Sequence, residues 1–314
     1  MTKHWPRIAL LAGIGISAAV SFFAEDQIDS YALNILMLIG INIILAVSLN
    51  LVNGHTGQFS LGHAGFMAVG AYASTALTVY TDLGKSLPAW VLFPMALFAG
   101  GLIAALFGLL VGVPSLRLKG DYLAIVTLGF GEIIRVIIQN TESIGGPRGI
   151  SGIPSYTNFF WTFALASVTV YAIACLVNST YGRGFLAVRD DEIAAEAMGI
   201  NTTKYKVIAF VIGAFFAGIA GGLYAHYFSY ITPEGFNFLK SVDVVIMVIL
   251  GGMGSTVGVT LAAIAITVLN EFLRSAEQYR MIIFALLLIV MMILRPQGLI
   301  GDVGWFRRGR RAKP

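Results

Sequence analysis

One stretch of the chain carries polar side chains inside an otherwise apolar sequence, where they could line a path for a solute. The run 50–72 is interrupted by glycines and contains these polar residues: Asn50, Asn53, His55, Thr56, Gln58, Ser60 and His63. Irregular polar backbone at membrane depth is tolerated only inside protein or beside a water-filled cavity, and interrupted spans of this kind point to transporter binding sites. The run therefore predicts solute passage. A short cytoplasmic turn followed by an ordinary Gly-rich packing helix remains an open alternative.

A second interruption lies at 250–255, where Gly251, Gly252 and Gly254 break an apolar run. Such a break is expected at the end of a half-helix inside a bundle, although a plain tight turn explains it equally well. Across the two interruptions, the residues predicted to line a substrate pathway are Asn50, Gln58, Ser60, Gly62, His63, Gly251 and Gly252.

Catalytic and metal chemistry find little support in the residue pattern. His55 and His63 have no nearby Cys, Asp or Glu to complete a metal site, and no nucleophile–base pair or paired catalytic carboxylates occur. Glu132 and Arg135 stand three residues apart in one apolar segment, where a structural pair on one helix face is favoured over a functional one. We therefore predict a chain that is not an enzyme and holds no metal or cofactor.

A hydrophilic segment at 189–200 predicts a short amphipathic helix on the cytoplasmic surface. Its residues are strong helix formers, and Gly199 is placed as a C-terminal cap. Ile193, Ala197 and Ile200 recur at helical spacing and would form an apolar stripe. A helix seated on lipid headgroups usually carries Lys and Arg, whereas this one carries four acidic residues. Docking into a protein groove is therefore favoured over a helix resting on lipid.

The elements that position these segments are predicted to be transmembrane helices. Hydrophobic residues make up 57% of the 314 residues and charged residues 11%, against roughly 25% charged residues in soluble domains. Nine apolar segments approach the roughly 20 residues of a spanning helix: 8–24, 31–52, 59–80, 88–113, 122–139, 159–177, 206–230, 257–273 and 281–294. The fold class predicted is all-α, a polytopic transmembrane helical bundle in a single transmembrane domain, 1–314.

Charge placement predicts the orientation of this bundle. Cations cluster near the N-terminus, in the loop 178–205 and in the basic tail 295–314, and cytoplasmic segments carry excess Lys and Arg. Two cytoplasmic termini require an even number of crossings, so the short run 242–250, begun by 236–241, is counted as a tenth span. The cytoplasmic side then carries 14 cations and the outer side five. The count stays at nine to ten, because 59–80 could be re-entrant, and the first helix is expected to remain uncleaved.

Several of these segments, in order along nearly the whole chain, resemble one family. The run Gly57-Gln58-Phe59-Ser60-Leu61-Gly62-His63-Ala64-Gly65-Phe66-Met67, the segment 189–199, the helix 210–223, the break at 250–255 and the closing 295–299 are similar to branched-chain amino acid ABC-transporter permeases, M-type subunits of the Liv system. One departure is that Ile193-Ala194-Ala195 stands where the general coupling loop of these transporters has Glu-Ala-Ala.

The resemblance implies a permease subunit of an ATP-driven importer for branched-chain amino acids in the cytoplasmic (inner) membrane of a bacterium. It implies as partners a second, H-type permease, two cytoplasmic ATPases that bind ATP and Mg²⁺, and an extracytoplasmic substrate-binding protein. It also implies an ATPase-coupling role for Arg189, Asp190, Glu192, Ala194, Ala195, Glu196 and Gly199. A permease for urea or other amino acids, and an ion-coupled secondary transporter, stay open as alternatives.

Overall fold

The computed structural model describes residues 5–23, 29–81, 88–115, 118, 120–295 and 298, and these residues form twelve α-helices. The helices of the first half are α1 (Trp5–Phe23), α2 (Ser30–Asn50), α3 (His63–Val79), α4 (Ala89–Ser115), α5 (Asp121–Gln139) and α6 (Phe159–Val177). Those of the second half are α7 (Thr180–Asp190), α8 (Glu192–Ala197), α9 (Thr202–Phe228), α10 (Phe238–Gly251), α11 (Thr256–Phe272) and α12 (Glu277–Leu294).

Ten of these helices coincide with the ten predicted spans, and α7 and α8 fall in the predicted cytoplasmic loop. Within the part of the chain that the structure describes, four helical segments are long and apolar enough to cross a membrane: Ser30–His55, Ala89–Ser115, Phe159–Val177 and Thr202–Phe228. The first of them includes a π-helix at Leu51–His55 that continues α2. The chain is thus a helical, multi-pass membrane protein. The basic tail lies outside the described residues beyond Arg295 and Gly298.

Helices α3 and α10 are shorter than a full membrane span. The predicted span 59–80 is helical only from His63, because residues 57–62 are non-helical. The 17 residues of α3 and the 14 of α10 rise about 26 and 21 Å at 1.5 Å per residue, less than the roughly 30 Å of a hydrocarbon core. Irregular backbone therefore precedes α3 inside the bundle, whereas a 3₁₀ turn precedes α10.

Glycines allow the central helices to approach closely. The backbone of Gly70 on α3 lies against Gly218 on α9, and a Cβ added at Gly218 would meet Ala104 on α4. Close backbone approach at small residues is how helices gain packing energy in lipid. The core built around α9 holds α2, α3 and α4 in fixed positions, which in turn fixes the polar segment between α2 and α3.

Short irregular elements cap the opposite end of the bundle. Ile150–Ser151 (β1) pairs antiparallel with Tyr230–Ile231 (β2), and 3₁₀ turns occur at Glu142–Ile144, Gly146–Arg148, Pro233–Phe236 and Leu273–Ala276. The turn at 233–236 leads directly into α10. These pairings hold the loop 140–158 against the C-terminal end of α9.

The single amphipathic helix predicted at 189–200 is wrong in one respect, because the segment is broken at Asp191. Asp191 has extended backbone (φ −159°, ψ 111°), and its carboxylate accepts hydrogen bonds from the backbone N–H groups of Ile193 and Ala194 at 2.9 and 3.0 Å. It therefore ends α7 and caps the N-terminus of α8. The predicted cap at Gly199 is confirmed by its φ of +81°, and Ile200 lies beyond the helix.

Candidate functional site

The segment that links α2 to α3 is buried although it carries many polar groups. Asn53 Oδ1 accepts from the Ser60 N–H at 3.2 Å, and the Leu61 N–H donates to Thr127 Oγ1 at 3.1 Å. At the start of α3, the Ala64 N–H donates to Ser241 Oγ on α10 at 3.0 Å. Side chains thus satisfy backbone groups that no helix can serve, as buried irregular backbone requires.

His63 belongs to this packed arrangement. Its Nε2 lies 2.9 Å from Ser48 Oγ on α2, and the ring is buried. Gly62 lies against the backbone carbonyl of Thr127, so a Cβ at this position would overlap that oxygen. These two predicted pathway residues hold the start of α3 against α2 and α5, which leaves contact with a solute as a prediction.

The two glycine interruptions meet at one end of the bundle. Asn50 Oδ1 accepts from the Gly254 N–H at 2.9 Å. A Cβ at Gly54 would overlap both that oxygen and the Gly254 nitrogen. Gly251 packs against Val259, and Gly252 ends α10 with φ +96°. The break at 250–255 is therefore a tight turn, and it is docked onto the C-terminal end of α2.

Arg189 reaches the same corner from the predicted coupling segment. Its Nη1 donates to the Gly54 carbonyl oxygen at 3.4 Å, while Nε and Nη2 both donate to Asp190 Oδ1 at 3.1 and 3.0 Å. Gly57 (φ +69°) packs against the aliphatic part of the Arg189 side chain. Arg189 thus contacts the α2–α3 link at both Gly54 and Gly57.

A cavity of about 350 Å³ lies between this link and the loop 178–205. Arg189, Asp190, Glu192 and Lys206 line one side of it, and Gln58 lines the other. The Gln58 amide is buried, and neither its oxygen nor its nitrogen has a hydrogen-bond partner in the described part of the chain. Predicted coupling residues and a predicted pathway residue therefore share one cavity.

The remaining coupling residues divide into a buried and an exposed set. Ala195 is only 4% exposed, and Glu192 forms a 2.7 Å ion pair with the buried Lys206. Glu196 accepts a 2.7 Å hydrogen bond from Thr202, and Ala194 is exposed. The apolar groups that α8 and its C-terminal turn offer to solvent are Ile193 and Met198, 75% and 83% exposed. Ile193 and Ala197 of the predicted stripe are exposed on α8, whereas Ile200 lies beyond the helix and Met198 was not predicted.

Glu132 and Arg135 form the structural pair that the sequence predicts. Arg135 Nε donates to Glu132 Oε2 at 2.7 Å along one face of α5. Both side chains are partly exposed. The pair satisfies its own charges on the helix surface.

A second group of polar side chains was not predicted as a site. It surrounds a cavity between α2, α10 and α11, and its members are Asn42, Lys240, Asp243, Thr267, Asn270, Glu271 and Arg274. The sequence signal is the spacing of the last four, three and four residues apart, which places them on one face of α11 and the following turn. The residues between these four are mostly apolar, so the segment was interpreted only as a membrane-spanning helix.

Apolar helices packed around buried, irregular, polar backbone define a polytopic helical membrane protein of the transport type. The chain belongs to the family described as branched-chain amino acid transport system / permease component, whose model matches residues 31–294. The resemblance drawn from the sequence motifs is thereby confirmed.

Individual relatives agree with this family. The high-affinity branched-chain amino acid transport system permease protein LivM of Salmonella typhimurium is 39% identical over 265 residues, covering 73% of this chain and 60% of the relative. LivM of Escherichia coli K12 is 40% identical over the same shares. LivH of Salmonella typhimurium is 26% identical over 235 residues, 68% of this chain and 75% of the relative. The chain thus matches about 60% of the length of these LivM relatives. No solved structure matches it significantly.

Proposed function

We propose that this chain is the permease subunit of an ATP-driven importer that moves branched-chain amino acids across the cytoplasmic membrane of a bacterium. The family match over residues 31–294 carries the proposal, together with relatives named for high-affinity branched-chain amino acid transport. In this role the chain is a transport subunit without catalytic groups. ATP and Mg²⁺ are bound by separate partner subunits.

The partners follow from what the chain lacks on its own. It pairs with a second, H-type permease, in line with its similarity to LivH, and the two enclose one path. Two cytoplasmic ATPases supply the energy, and an extracytoplasmic binding protein delivers the amino acid. Gradient-driven transport would instead require a titratable coupling site in this chain.

The proposed topology has ten crossings with both termini in the cytoplasm. Ten helices coincide with the predicted spans, and in this topology the irregular segment before α3 and the 3₁₀ turn before α10 complete the crossings of these two short helices. The loop 140–158 then faces outside, and α7 and α8 face the cytoplasm. Reporter fusions in these two loops test the arrangement, since reporters on the same side would contradict it.

Coupling to the ATPases takes place at α8. Ile193 and Met198 enter an apolar groove of the ATPase, with Ala194, Asp190 and Glu196 around them. Ala195 and Gly199 act indirectly, because one is buried and the other fixes the helix end. Arg189 transmits movement of this segment to Gly54, and from there to the predicted pathway residues.

The test is uptake in liposomes that contain this chain together with its H-type permease and ATPase partners. We expect leucine uptake to require ATP, the ATPases and the binding protein, and to stop when the ATPases carry an inactive nucleotide site. Gradient-driven uptake without ATPases would overturn the proposal in favour of a secondary transporter. Uptake of urea but not of leucine, isoleucine or valine would overturn the proposed substrate class.

A further inference from the structure

A polar cavity of about 330 Å³ lies between α2, α10 and α11, apart from the corner where Arg189 meets Gly54. It extends from Glu271, near the C-terminal end of α11, to Asn42, in the middle of α2. Small-molecule sites are commonly about 300–1,000 Å³. In the proposed topology the α11 end of the cavity faces outside. A solute arriving from that side would reach the middle of the bundle.

The charges around this cavity are balanced. Lys240 and Asp243 lie three residues apart on α10, and Glu271 and Arg274 lie three apart at the end of α11. Ionisable residues within membrane segments are costly and mark functional sites by default. A lining that holds two cations and two anions offers groups of each sign to a ligand that itself carries one charge of each sign.

Hydrogen bonds hold the deep end of the cavity in one arrangement. The buried Asn42 donates through Nδ2 to Thr267 Oγ1 at 2.9 Å and accepts through Oδ1 from Lys240 Nζ at 3.2 Å. Thr267 in turn donates to the Ala263 carbonyl at 2.7 Å. The Lys240 ammonium is therefore positioned at the cavity by a buried network.

One acceptor in the cavity wall remains available. Asn270 Oδ1 is buried and has no hydrogen-bond partner in the described part of the chain. A buried unpaired polar atom costs about 1–3 kcal/mol, so a ligand that donates to it gains affinity. The other walls are aliphatic, from Ile35, Leu38 and Leu273.

We propose that this cavity recognises the zwitterionic head group of the transported aliphatic amino acid. The proposal rests on the proposed function and names the recognition site within it. Lys240 binds the carboxylate, Asp243 and the Asn270 oxygen bind the ammonium, and the aliphatic walls contact the side chain. Glu271 and Arg274 form a 3.1 Å pair at the rim, where Arg274 is 73% exposed, and attract either end of the zwitterion.

The first test measures uptake by the complete reconstituted transporter. We expect Asp243→Asn and Lys240→Gln each to raise the KM for leucine at least tenfold. Glu132→Gln is the matched control, because it removes a membrane-embedded charge outside the cavity, and its KM should be unchanged. An unchanged KM for leucine in both cavity variants would overturn the proposal that this cavity binds the amino acid.

The second test needs no charge substitution. Leu38→Cys is introduced into a Cys175→Ser background, which removes the single native cysteine, and the purified complex without binding protein is labelled with a maleimide. Millimolar leucine should slow labelling severalfold, whereas leucinamide and the corresponding 2-oxo acid, each lacking one charge, should not. Equal labelling with all three overturns the proposal. Absence of ATP-dependent leucine uptake by the wild-type complex would instead overturn the proposed function.

Discussion

The Nη1 of Arg189 lies 3.4 Å from the carbonyl oxygen of Gly54. These residues are 135 positions apart in the chain, one at the end of α7 and the other in the π-helix that follows α2. The contact joins the loop 178–205 to the irregular segment that precedes α3. In the proposed function, it is one route by which a movement of α8 reaches the interior of the bundle.

Replacing Arg189 with Ala should uncouple transport from ATP hydrolysis. The contact with the Gly54 carbonyl and the packing on Gly57 would both be lost, while the helices themselves would remain. We expect leucine uptake per ATP hydrolysed to fall severalfold in the reconstituted transporter. Arg183→Ala, an exposed charge on the same helix, is the control. Equal ratios for the two variants would contradict a transmitting role for Arg189.

Substitution of Ile193 or Met198 with Asp should weaken ATPase binding. Both side chains are largely exposed, so the fold of this chain should be unaffected, and a charge buried in an apolar groove is costly. Pull-down of the ATPase by the purified permease pair measures the effect, for which at least a tenfold loss is expected.

The control is Thr203→Asp, at an exposed position in the first turn of α9. This variant should bind the ATPase normally. Ala195→Asp is a poor probe of docking, because Ala195 is buried and a charge there would disrupt the loop itself. Full ATPase binding by the Ile193 and Met198 variants would show that α8 is not part of the interface with the ATPase.

Gly54→Ala should destabilise the chain. The added Cβ would overlap the Asn50 oxygen and the Gly254 nitrogen, and such overpacking costs about 1–3 kcal/mol. Gly129→Ala is the matched control, since nothing lies within 4 Å of a Cβ there and Ala favours the helix by about 1 kcal/mol. Thermal unfolding in detergent should show a lower midpoint for the first variant and an unchanged or higher one for the second.

The ion pair between Lys206 and Glu192 should hold α8 against α9. The Lys206 side chain is 8% exposed and its Nζ lies 2.7 Å from Glu192 Oε1, so Lys206→Met would remove this ion pair from a partly buried carboxylate at a cost of about 1–3 kcal/mol. We expect faster proteolysis within the loop 178–205. The double variant Lys206→Met/Glu192→Gln should recover part of the loss, and purely additive effects would argue against direct coupling.

The sequence by itself determined the class of protein and most of its helices. Long apolar runs with few charges can be satisfied only by helices in a bilayer, and all ten predicted segments are helical. The family was identified from sequence motifs that occur in order along the chain, from 57–67 to 295–299. The Gly199 cap and the Glu132–Arg135 pair were predictable because each depends on neighbours within one turn.

Only the tertiary structure decided which distant residues meet. The contact of Arg189 with Gly54, the bond from Gly254 to Asn50 and the cavity around Lys240 all join segments far apart in sequence, and no local periodicity encodes such distances. The break at Asp191 and the burial of Ala195 were missed for a related reason. Helix propensity favours one continuous helix there, whereas the carboxylate of Asp191 and the packing against α9 stabilise two.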